Sequence, residues 1–504
     1  MGELRTLQIE PGVIGDDSAS AAEGYYRDAS RVRFRRGLPE VIGGWQKRFP
    51  DQLNGKCRCG LFWTDKSQRL NEAYGTHTKL YVRRGGTLYD LTPSGLTAGQ
   101  ENGGEASGGY GLGLYGTGPY GGATSGSDLI RTWDFDQWGE NLLALVRGGK
   151  LYRWQNNTGT LPTAISGAPT VADGMFKTAE GFICLLATQE QITGDYDPLL
   201  ARWHDKEDVT TWTATASNAA GAKRCTIGSK NVAGRALQKR NVIWTDAGLC
   251  ELLYTADQNV YETFPIAEGC GLIGKKAHEE LDGVAYWLTR GGVYRWAGGV
   301  PERVPCPLED YLLQNIATGQ EDKILVRRNT QKNELWIVFP HKDDGLENSR
   351  YVAWQIGTPV WSKGILDRTE SIDDGAQTVP IMIGADGYVY EHETGKTANG
   401  AAMNAFIEIA NIDLIDGDEI LRIDAILPDW KEIVGSVNVE ITTGYTPNSS
   451  GYLWPSMTLN SATTRKACQA QGRWARLKLS TIGAPSWFRM GAPRLELGGT
   501  GQRL

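Results

Sequence analysis

One short motif recurs along most of this 504-residue chain: an apolar strand, a glycine-containing turn and a second strand that carries an aromatic side chain. Gly-Gly and Asp-Gly turns favour tight hairpins, because their positive φ angles match the twist of the flanking strands. Repetition at roughly 40 to 65 residues, with about four strands in each unit, is typical of β-propeller blades. Six copies of the motif occur, at residues 80–89, 143–154, 242–254, 286–296, 334–354 and 381–390.

The motif predicts an all-β fold in which residues 51–400 form one β-propeller of about six blades, a count that the loose spacing fixes only to within one. The composition agrees, since 64 glycines and 17 tryptophans supply tight turns and aromatic side chains for half-buried strands. The eight cysteines include no C-x-x-C pair, which indicates reduced thiols in a reducing compartment rather than a zinc or disulfide framework.

Two regions flank the predicted propeller. Apolar and polar residues alternate at 405–409, 437–441 and 474–479, the period of strands with one solvated face. Residues 405–504 are therefore predicted to form a separate C-terminal β-sandwich. Residues 1–50 contain a basic cluster and are predicted to be an N-terminal arm or added strands. The sequence has no apolar run long enough to span a bilayer, so we expect no membrane anchor.

A loop at residues 95–126 interrupts the propeller pattern with 13 glycines in 32 positions. Such a segment has too few side chains to build a core. It carries Tyr110, Tyr115 and Tyr120, and tyrosines on a glycine-rich backbone are typical of contact surfaces. We interpret these three residues as a candidate contact loop; the alternative is a linker without a binding role.

Several short motifs resemble sites but lack the context that the chemistry requires. Residues 111–116 and 116–121 match G-x-G-x-x-G, yet no strand precedes them and no helix follows them. Residues 269–276 differ from a phosphate-binding P-loop by one residue, because a lysine replaces the Ser/Thr that would hold Mg²⁺.

Two further segments suggest a hydrolase or a metal site. Residues 371–375 resemble a single sialidase Asp-box that includes Asp373, but a glycosidase needs two carboxylates around the bond that it cleaves. In Glu391-His392-Glu393, consecutive side chains of a strand point to alternating faces, which disfavours joint metal binding. We therefore predict no catalytic residue, no cofactor-binding residue, no metal ligand and no cofactor.

The chain resembles the tail nozzle family of short-tailed bacteriophages, also called packaged-DNA stabilisation or tail tubular B proteins. The resemblance depends on fragments that occur in one order between residues 202 and 429. They are Arg202-Trp-His-Asp205 with Asp208, Thr210-Thr-Trp212, Ala220-Gly221, Ile243-Trp-Thr-Asp246, Gly271-Leu-Ile273, Tyr286-Trp287, Asn333-Glu-Leu-Trp336, Trp361-Ser-Lys-Gly364, Tyr390-Glu-His-Glu393, Asp416-Gly-Asp418 and Pro428-Asp429. Gly472-Arg-Trp474 and Trp487-Phe-Arg489 extend the similarity beyond this range. The first 130 residues match the family poorly.

The resemblance implies a structural virion protein and not an enzyme. It implies a homo-oligomeric ring, commonly a hexamer, below the portal and its adaptor protein, with residues 405–504 building the tube. The ring would extend the DNA channel, contact tail fibre or plug proteins and be assembled in the host cytoplasm. The net charge of −7, from 52 basic and 59 acidic residues, suits a lumen that DNA passes without specific binding. The alternatives are a receptor- or glycan-binding propeller of a baseplate or fibre, and a propeller glycoside hydrolase.

Overall fold

A computed structural model describes residues 3–15, 22–104, 129–257, 259–373, 377–413, 420–446 and 449–499. The described chain is almost entirely β, with one short helix, α1 (Glu309–Leu313), and one 3₁₀ turn (Glu321–Lys323). All eight cysteines are free thiols, and six of them are buried.

The strands before the last blade-forming segment are β1 (Glu3–Thr6), β2 (Tyr26–Ser30), β3 (Val32–Arg35), β4 (Leu38–Val41), β5 (Trp45–Lys47), β6 (Cys57–Thr64), β7 (Leu70–Thr76), β8 (Leu80–Arg84), β9 (Thr87–Asp90), β10 (Trp133–Trp138), β11 (Asn141–Val146), β12 (Leu151–Trp154), β13 (Thr163–Ala164), β14 (Ala172–Lys177), β15 (Ile183–Gln189), β16 (Tyr196–Trp203), β17 (Gly221–Arg224), β18 (Asn231–Leu237), β19 (Arg240–Thr245), β20 (Gly248–Tyr254), β21 (Tyr261–Glu268), β22 (His278–Leu281), β23 (Val284–Thr289), β24 (Gly292–Trp296), β25 (Glu302–Val304), β26 (Leu325–Asn329), β27 (Glu334–Pro340), β28 (Asn348–Gln355) and β29 (Trp361–Ile365).

The remaining strands are β30 (Arg368–Ile372), β31 (Ile381–Gly384), β32 (Val389–His392), β33 (Phe406–Ile409), β34 (Ile412–Asp413), β35 (Leu421–Leu427), β36 (Trp430–Gly444), β37 (Tyr452–Leu453), β38 (Met457–Leu459), β39 (Lys466–Gly472), β40 (Trp474–Met490) and β41 (Arg494–Gly499).

Seven four-stranded antiparallel sheets form a β-propeller, which confirms the predicted fold class. Blades 1 to 6 are β6–β9, β10–β13, β14–β17, β18–β21, β22–β25 and β26–β29, and blade 7 is β30–β32 with β5. The first strand of nearly every blade contacts the first strand of the next, and β30 returns to contact β6. Between blades 4 and 5, Arg235 pairs with Glu279 across the two first strands at 3.0 Å.

The structure has one blade more than the six hairpin copies in the sequence. Blade 3 (residues 172–224) is the blade without a copy, because residues 190–195 join its two central strands without a Gly-Gly or Asp-Gly turn. Blade 7 is completed from the other end of the chain, where Trp45 pairs with His392 and Lys47 with Tyr390. The strand Trp45–Lys47 therefore closes the ring.

The Gly-Gly turns adopt the conformation that the sequence predicts. In blade 1, Gly85 and Gly86 connect β8 to β9 with φ angles of 57° and 88°. Tryptophans stabilise other turns at the ends of third strands. The indole nitrogens of Trp154, Trp296 and Trp354 each donate to a backbone carbonyl three or four residues further along, at 2.8, 2.9 and 2.6 Å.

Hydrophobic clusters fill the spaces between blades. Separate clusters lie between blades 7 and 1, 1 and 2, 2 and 3, and 3 and 4. Close packing requires glycine on some first strands: a Cβ on Gly60 would lie 2.2 Å from Ile372, and one on Gly234 would lie 2.4 Å from Phe176. Burial of these apolar faces is the main stabilising contribution to the ring.

Two further sheets contain strands from both ends of the chain. One has the order β1-β41-β35-β39, and the other is a nine-stranded sheet built on the long pair β36 and β40. The nine-stranded sheet also includes β2, β3 and β4, so residues 26–41 share a sheet with residues 406–490. The two sheets and blades 4 to 7 contribute to one hydrophobic cluster. The β-sandwich at residues 405–504 remains a prediction.

Candidate functional site

The axial cavity of the propeller is the first candidate site, with a volume of about 340 Å³. Side chains from the first strands of all seven blades line it. The lining is strongly charged, with Asp134, Lys275, Lys276, Arg327 and Glu370 among its residues. A binding or catalytic role would require some of these groups to be available to a ligand, so their pairing decides what the cavity can do.

Asp134 is the centre of one buried cluster. Its two carboxylate oxygens each lie 2.9 Å from a lysine ammonium, one from Lys275 and the other from Lys276. Burial raises the pKa of Asp134, but the charges of the two lysines outweigh that effect and hold its pKa below the ordinary value. Lys276 also donates to the carbonyl of Trp133 at 2.8 Å. The lysines of the P-loop-like segment therefore bind a carboxylate, and a strand (β22) follows them where a nucleotide site needs a helix.

Two arginines of the cavity are also paired with carboxylates. Arg327 donates through Nε to Glu370 at 2.9 Å, and Arg328 lies 3.9 Å from Glu280. His278 is buried, and burial lowers its pKa well below the ordinary value, so the imidazole is neutral at pH 7. Burial likewise raises the pKa of the Cys59 thiol to about 11. Neither residue is thus in the protonation state of an activated acid or nucleophile at neutral pH.

One end of the cavity is crossed by backbone. Asp322, just before blade 6, accepts a hydrogen bond from Arg147 of blade 2 at 2.6 Å, a contact that spans the propeller axis. Gln320 and Gly103 exchange hydrogen bonds of 3.2 and 2.6 Å. A Cβ on Gly103 would lie 2.1 Å from the carbonyl oxygen of Gly319, so two backbone segments touch here. Residues 99–104 and 317–323 therefore pack against each other.

The Asp-box-like segment has a structural role in the described residues. Asp373 accepts hydrogen bonds from the backbone nitrogen and the hydroxyl of Thr330, at 2.7 and 2.8 Å. Its carbonyl oxygen accepts from Arg328 at 2.8 Å. These bonds hold blades 6 and 7 together, and they occupy the carboxylate that a glycosidase mechanism would use. Residues 374–376 lie outside the described residues.

The residues of Glu391-His392-Glu393 point to three different partners. Glu391 pairs with Arg48 at 2.7 Å, while His392 stacks on Trp45 with ring centroids 5.2 Å apart. Glu393 accepts from Arg33 at 2.7 Å. Among the residues with described positions, no group of three His, Cys, Asp or Glu side chains could hold a metal ion.

The first fragment of the phage-tail resemblance stabilises a long loop of blade 3. Arg202 donates to the carbonyls of Gln189 and Trp212, at 3.0 and 2.9 Å. Trp203 donates through its indole nitrogen to Ala219 at 2.9 Å. The side chain of Asp205 accepts from the backbone nitrogen of Ala219 at 2.7 Å. The fragment therefore anchors residues 204–220 by hydrogen bonds.

Some sequence-based predictions concern residues outside the described ranges. These are the contact-loop residues Tyr110, Tyr115 and Tyr120 and the two G-x-G-x-x-G matches, all within 105–128. Within the described ranges, no helix is long and apolar enough to cross a membrane.

Sequence reasoning missed the ion pairs of the axial cavity, because their partners lie far apart in the chain. Lys276 and Asp134 are 142 residues apart, and Arg147 and Asp322 are 175 apart. The sequence signal for these ion pairs would have been charged residues at the positions of the first strands that face the propeller axis.

No family model and no curated protein matches this chain. Solved structures that resemble it include the computationally designed Ika8 protein, with 10% identity over 69% of this chain and 99% of that chain and a TM-score of 0.34. A chain of a mitotic checkpoint complex has 8% identity over 71% of this chain and 93% of that chain, with a TM-score of 0.40. The Pan2 WD40 domain of Neurospora crassa has 9% identity over 72% and 96%, with a TM-score of 0.40. The fold thus defines an all-β protein built on a seven-bladed propeller, and the sheet topology alone carries that assignment.

Proposed function

We propose that this chain is a structural virion protein, the tail nozzle of a short-tailed bacteriophage. Copies form a ring, commonly of six, below the portal and its adaptor. The ring extends the DNA channel and contacts tail fibre or plug proteins. DNA passes its lumen without specific binding, and assembly takes place in the host cytoplasm.

The observation that best supports this proposal is that charged side chains inside the propeller form ion pairs between different blades. The cluster of Asp134, Lys275 and Lys276 joins blade 2 to the segment before blade 5, and the pair Arg327–Glu370 joins blades 6 and 7. A cavity of about 340 Å³ has the size of a small-molecule pocket. This cavity is too small for a nucleic acid to pass through. In this proposal the DNA lumen therefore lies between copies of the chain and not inside one propeller.

The resemblance fragments give separate support. Arg202, Trp203 and Asp205 stabilise a loop, and Trp361 packs in the core of blade 6 while its indole donates to Pro305 at 3.0 Å. Residues that a family shares for packing and turn geometry suit a scaffold protein, whereas a hydrolase would share its acid and its nucleophile.

Electron microscopy of the chain co-expressed with its portal and adaptor tests the proposal. We expect rings with a central lumen on the adaptor, and weak or no ring formation by the free chain. A single copy at a fibre tip in virions would overturn the proposal and favour a receptor-binding propeller. Hydrolysis of polysaccharide that disappears in Asp373→Asn would favour the hydrolase.

A further inference from the structure

A second cavity, separate from the axis, is lined mainly by arginines. It has a volume of about 320 Å³ and lies beside the Gly85–Gly86 turn of blade 1. Arg48, Arg69, Arg83 and Arg84 line it together with one carboxylate, Glu72. We call these residues the arginine pocket. It shares no residue with the axial cavity.

The one carboxylate inside the arginine pocket is already engaged. Oε1 of Glu72 accepts from Nε and Nη2 of Arg48, at 3.0 and 2.6 Å. Oε2 accepts from the hydroxyl of Tyr74 at 3.0 Å, and from Nη1 of Arg83 only at 3.3 Å. The Nε of Arg83 is buried and has no hydrogen-bond partner in the described part of the chain. A buried donor without an acceptor is costly, so Arg83 has unused capacity to bind an anion.

Arg84 has no carboxylate in direct contact. It donates to the side-chain oxygen of Asn71 at 2.6 Å and to the carbonyl of Asn156 at 3.1 Å, both neutral acceptors. Among described residues, no carboxylate lies within 4.0 Å of its guanidinium. Burial lowers the pKa of Arg84 and the nearby charge of Arg69 lowers it further, while the more distant carboxylate of Asp65 offsets only part of this lowering. A bound anion would relieve both effects.

The ion pairs of the arginine pocket leave an excess of positive charge, so the pocket is suited to an anion. Besides Glu72, the arginines of the pocket pair with Glu391, at 2.7 Å from Arg48, and with Asp65, at 2.8 Å from Arg69. Four guanidinium groups therefore share three carboxylates, which leaves a net charge of +1 among these seven groups. The excess lies on Arg83, which shares its carboxylate, and on Arg84, which has none.

Three of these guanidinium groups lie over aromatic rings. Arg83 lies 4.7 Å from the ring centroid of Phe49, Arg84 lies 5.0 Å from that of Trp154, and Arg48 lies 5.8 Å from that of Phe62. A guanidinium that stacks on a ring keeps its N–H edges free for an oxyanion and loses little further entropy on binding.

We propose that the arginine pocket binds a tetrahedral oxyanion of the phosphate class, either free or carried by a saccharide. A planar carboxylate is satisfied by one guanidinium edge, whereas a phosphate monoester offers three oxygens and up to two charges to several arginines together. The volume of about 320 Å³ leaves room for a sugar that carries the phosphate. The proposal does not depend on the nozzle function or on ring formation.

Titration of the full chain with inorganic phosphate tests the proposal, with chloride at the same ionic strength as the reference and acetate as the carboxylate probe. We expect phosphate to bind and to raise the melting temperature, because a ligand that binds only the folded state stabilises it. Hexose 6-phosphate distinguishes the sources: tighter binding than inorganic phosphate indicates a phosphorylated saccharide, and equal binding indicates the phosphate group alone.

Arg83→Gln should weaken phosphate binding about tenfold or more, as expected for loss of one charged hydrogen bond. Arg69→Gln is a second variant, since this side chain is 52% exposed and the buried carboxylate of Asp65 keeps the backbone N–H donors of Ser67 and Arg69. Circular dichroism of each variant checks that it remains folded. Arg295→Gln is the matched control, because it removes an exposed arginine of blade 5 that pairs with Glu302. Equal effects of phosphate and chloride, equal affinity for acetate, or unchanged phosphate affinity in both pocket variants would overturn the proposal.

Discussion

Arg33 joins three parts of the chain through buried ion pairs, and its removal should destabilise the protein strongly. It lies in β3, is 3% exposed, and contacts Glu334 of blade 6 at 2.9 Å. It also donates to Glu393, next to blade 7, at 2.7 Å. The substitution Arg33→Met keeps much of the side-chain volume but leaves two carboxylates in a buried site without their cation.

Breaking a buried pair by removing one partner costs about 3–5 kcal/mol, because an uncompensated charge remains. An unfolding entropy of about 2.1 cal/mol/K per residue gives about 1.1 kcal/mol/K for 504 residues that unfold together. Arg33→Met should therefore lower the melting temperature by about 3–5 °C at pH 7.5.

The pH dependence separates this electrostatic cause from a loss of packing. Burial raises the pKa of Glu334, and Arg33 offsets only part of that rise. Burial also raises the pKa of Glu393, but Arg33 outweighs it and holds the pKa below 4.5. In wild type, Glu393 therefore contributes stability above pH 4.5 that is lost as the pH falls through its folded pKa.

In Arg33→Met both carboxylates acquire folded pKa values above their unfolded values. The folded state then binds more protons than the unfolded state, so the variant gains stability as the pH falls. The difference in melting temperature from wild type should shrink between pH 7.5 and pH 5, and Arg33→Met/Glu393→Gln should recover part of the loss at pH 7.5. Thermal unfolding followed by circular dichroism measures both, with Arg295→Met as control. A loss below 1 °C, or the same loss at both pH values, would refute the reasoning.

Three further predictions follow from other contacts. Burial lowers the pKa of Lys323 from 10.5 to about 8. The melting temperature of wild type should therefore rise between pH 8 and pH 10.5, where the unfolded state binds more protons than the folded state. Lys323→Met should lack this rise, and parallel pH profiles of the two proteins would contradict the assignment. Gly103→Ala should cost about 1–3 kcal/mol in urea unfolding, because its Cβ would meet the carbonyl oxygen of Gly319 at 2.1 Å, whereas Gly159→Ala should be nearly neutral. Replacement of residues 106–127 by a short Gly-Ser linker should leave the melting temperature nearly unchanged, since loop closure depends only logarithmically on length. The same replacement should block tail completion, and normal infectious particles would show the loop to be a spacer.

The fold class could be predicted because its signal is local. A Gly-Gly turn such as Gly85–Gly86 fixes its hairpin through two adjacent φ angles, whatever the rest of the chain does. The blade at residues 172–224 was missed because a six-residue segment joins its central strands. The sequence still held an indirect sign, since the second and third hairpin copies begin at residues 143 and 242, about twice the usual spacing. A gap of that length has room for another blade.

The contacts that decide the candidate sites could not be predicted, because they join residues distant in sequence. Arg33 and Glu393 are 360 residues apart, and the partner of an isolated arginine is set only when the sheets assemble. The arginine pocket shows the same limit. Arg83 and Arg84 are adjacent in the first hairpin copy, and only the folded positions of Arg48 and Glu72 show that Arg83 shares its carboxylate.

The N-terminal segment couples the propeller to the two other sheets. Residues 26–41 form strands of the nine-stranded sheet, and a few residues later Trp45–Lys47 close blade 7. Arg33 adds a buried ionic contact to blades 6 and 7 at the same junction. A chain shortened to begin at residue 51 would therefore lose the outer strand of blade 7 and strands of both other sheets. The proposed ring formation and the proposed anion binding must consequently be measured on the full chain, because neither the propeller nor the two other sheets retain their complete set of strands without the first 50 residues.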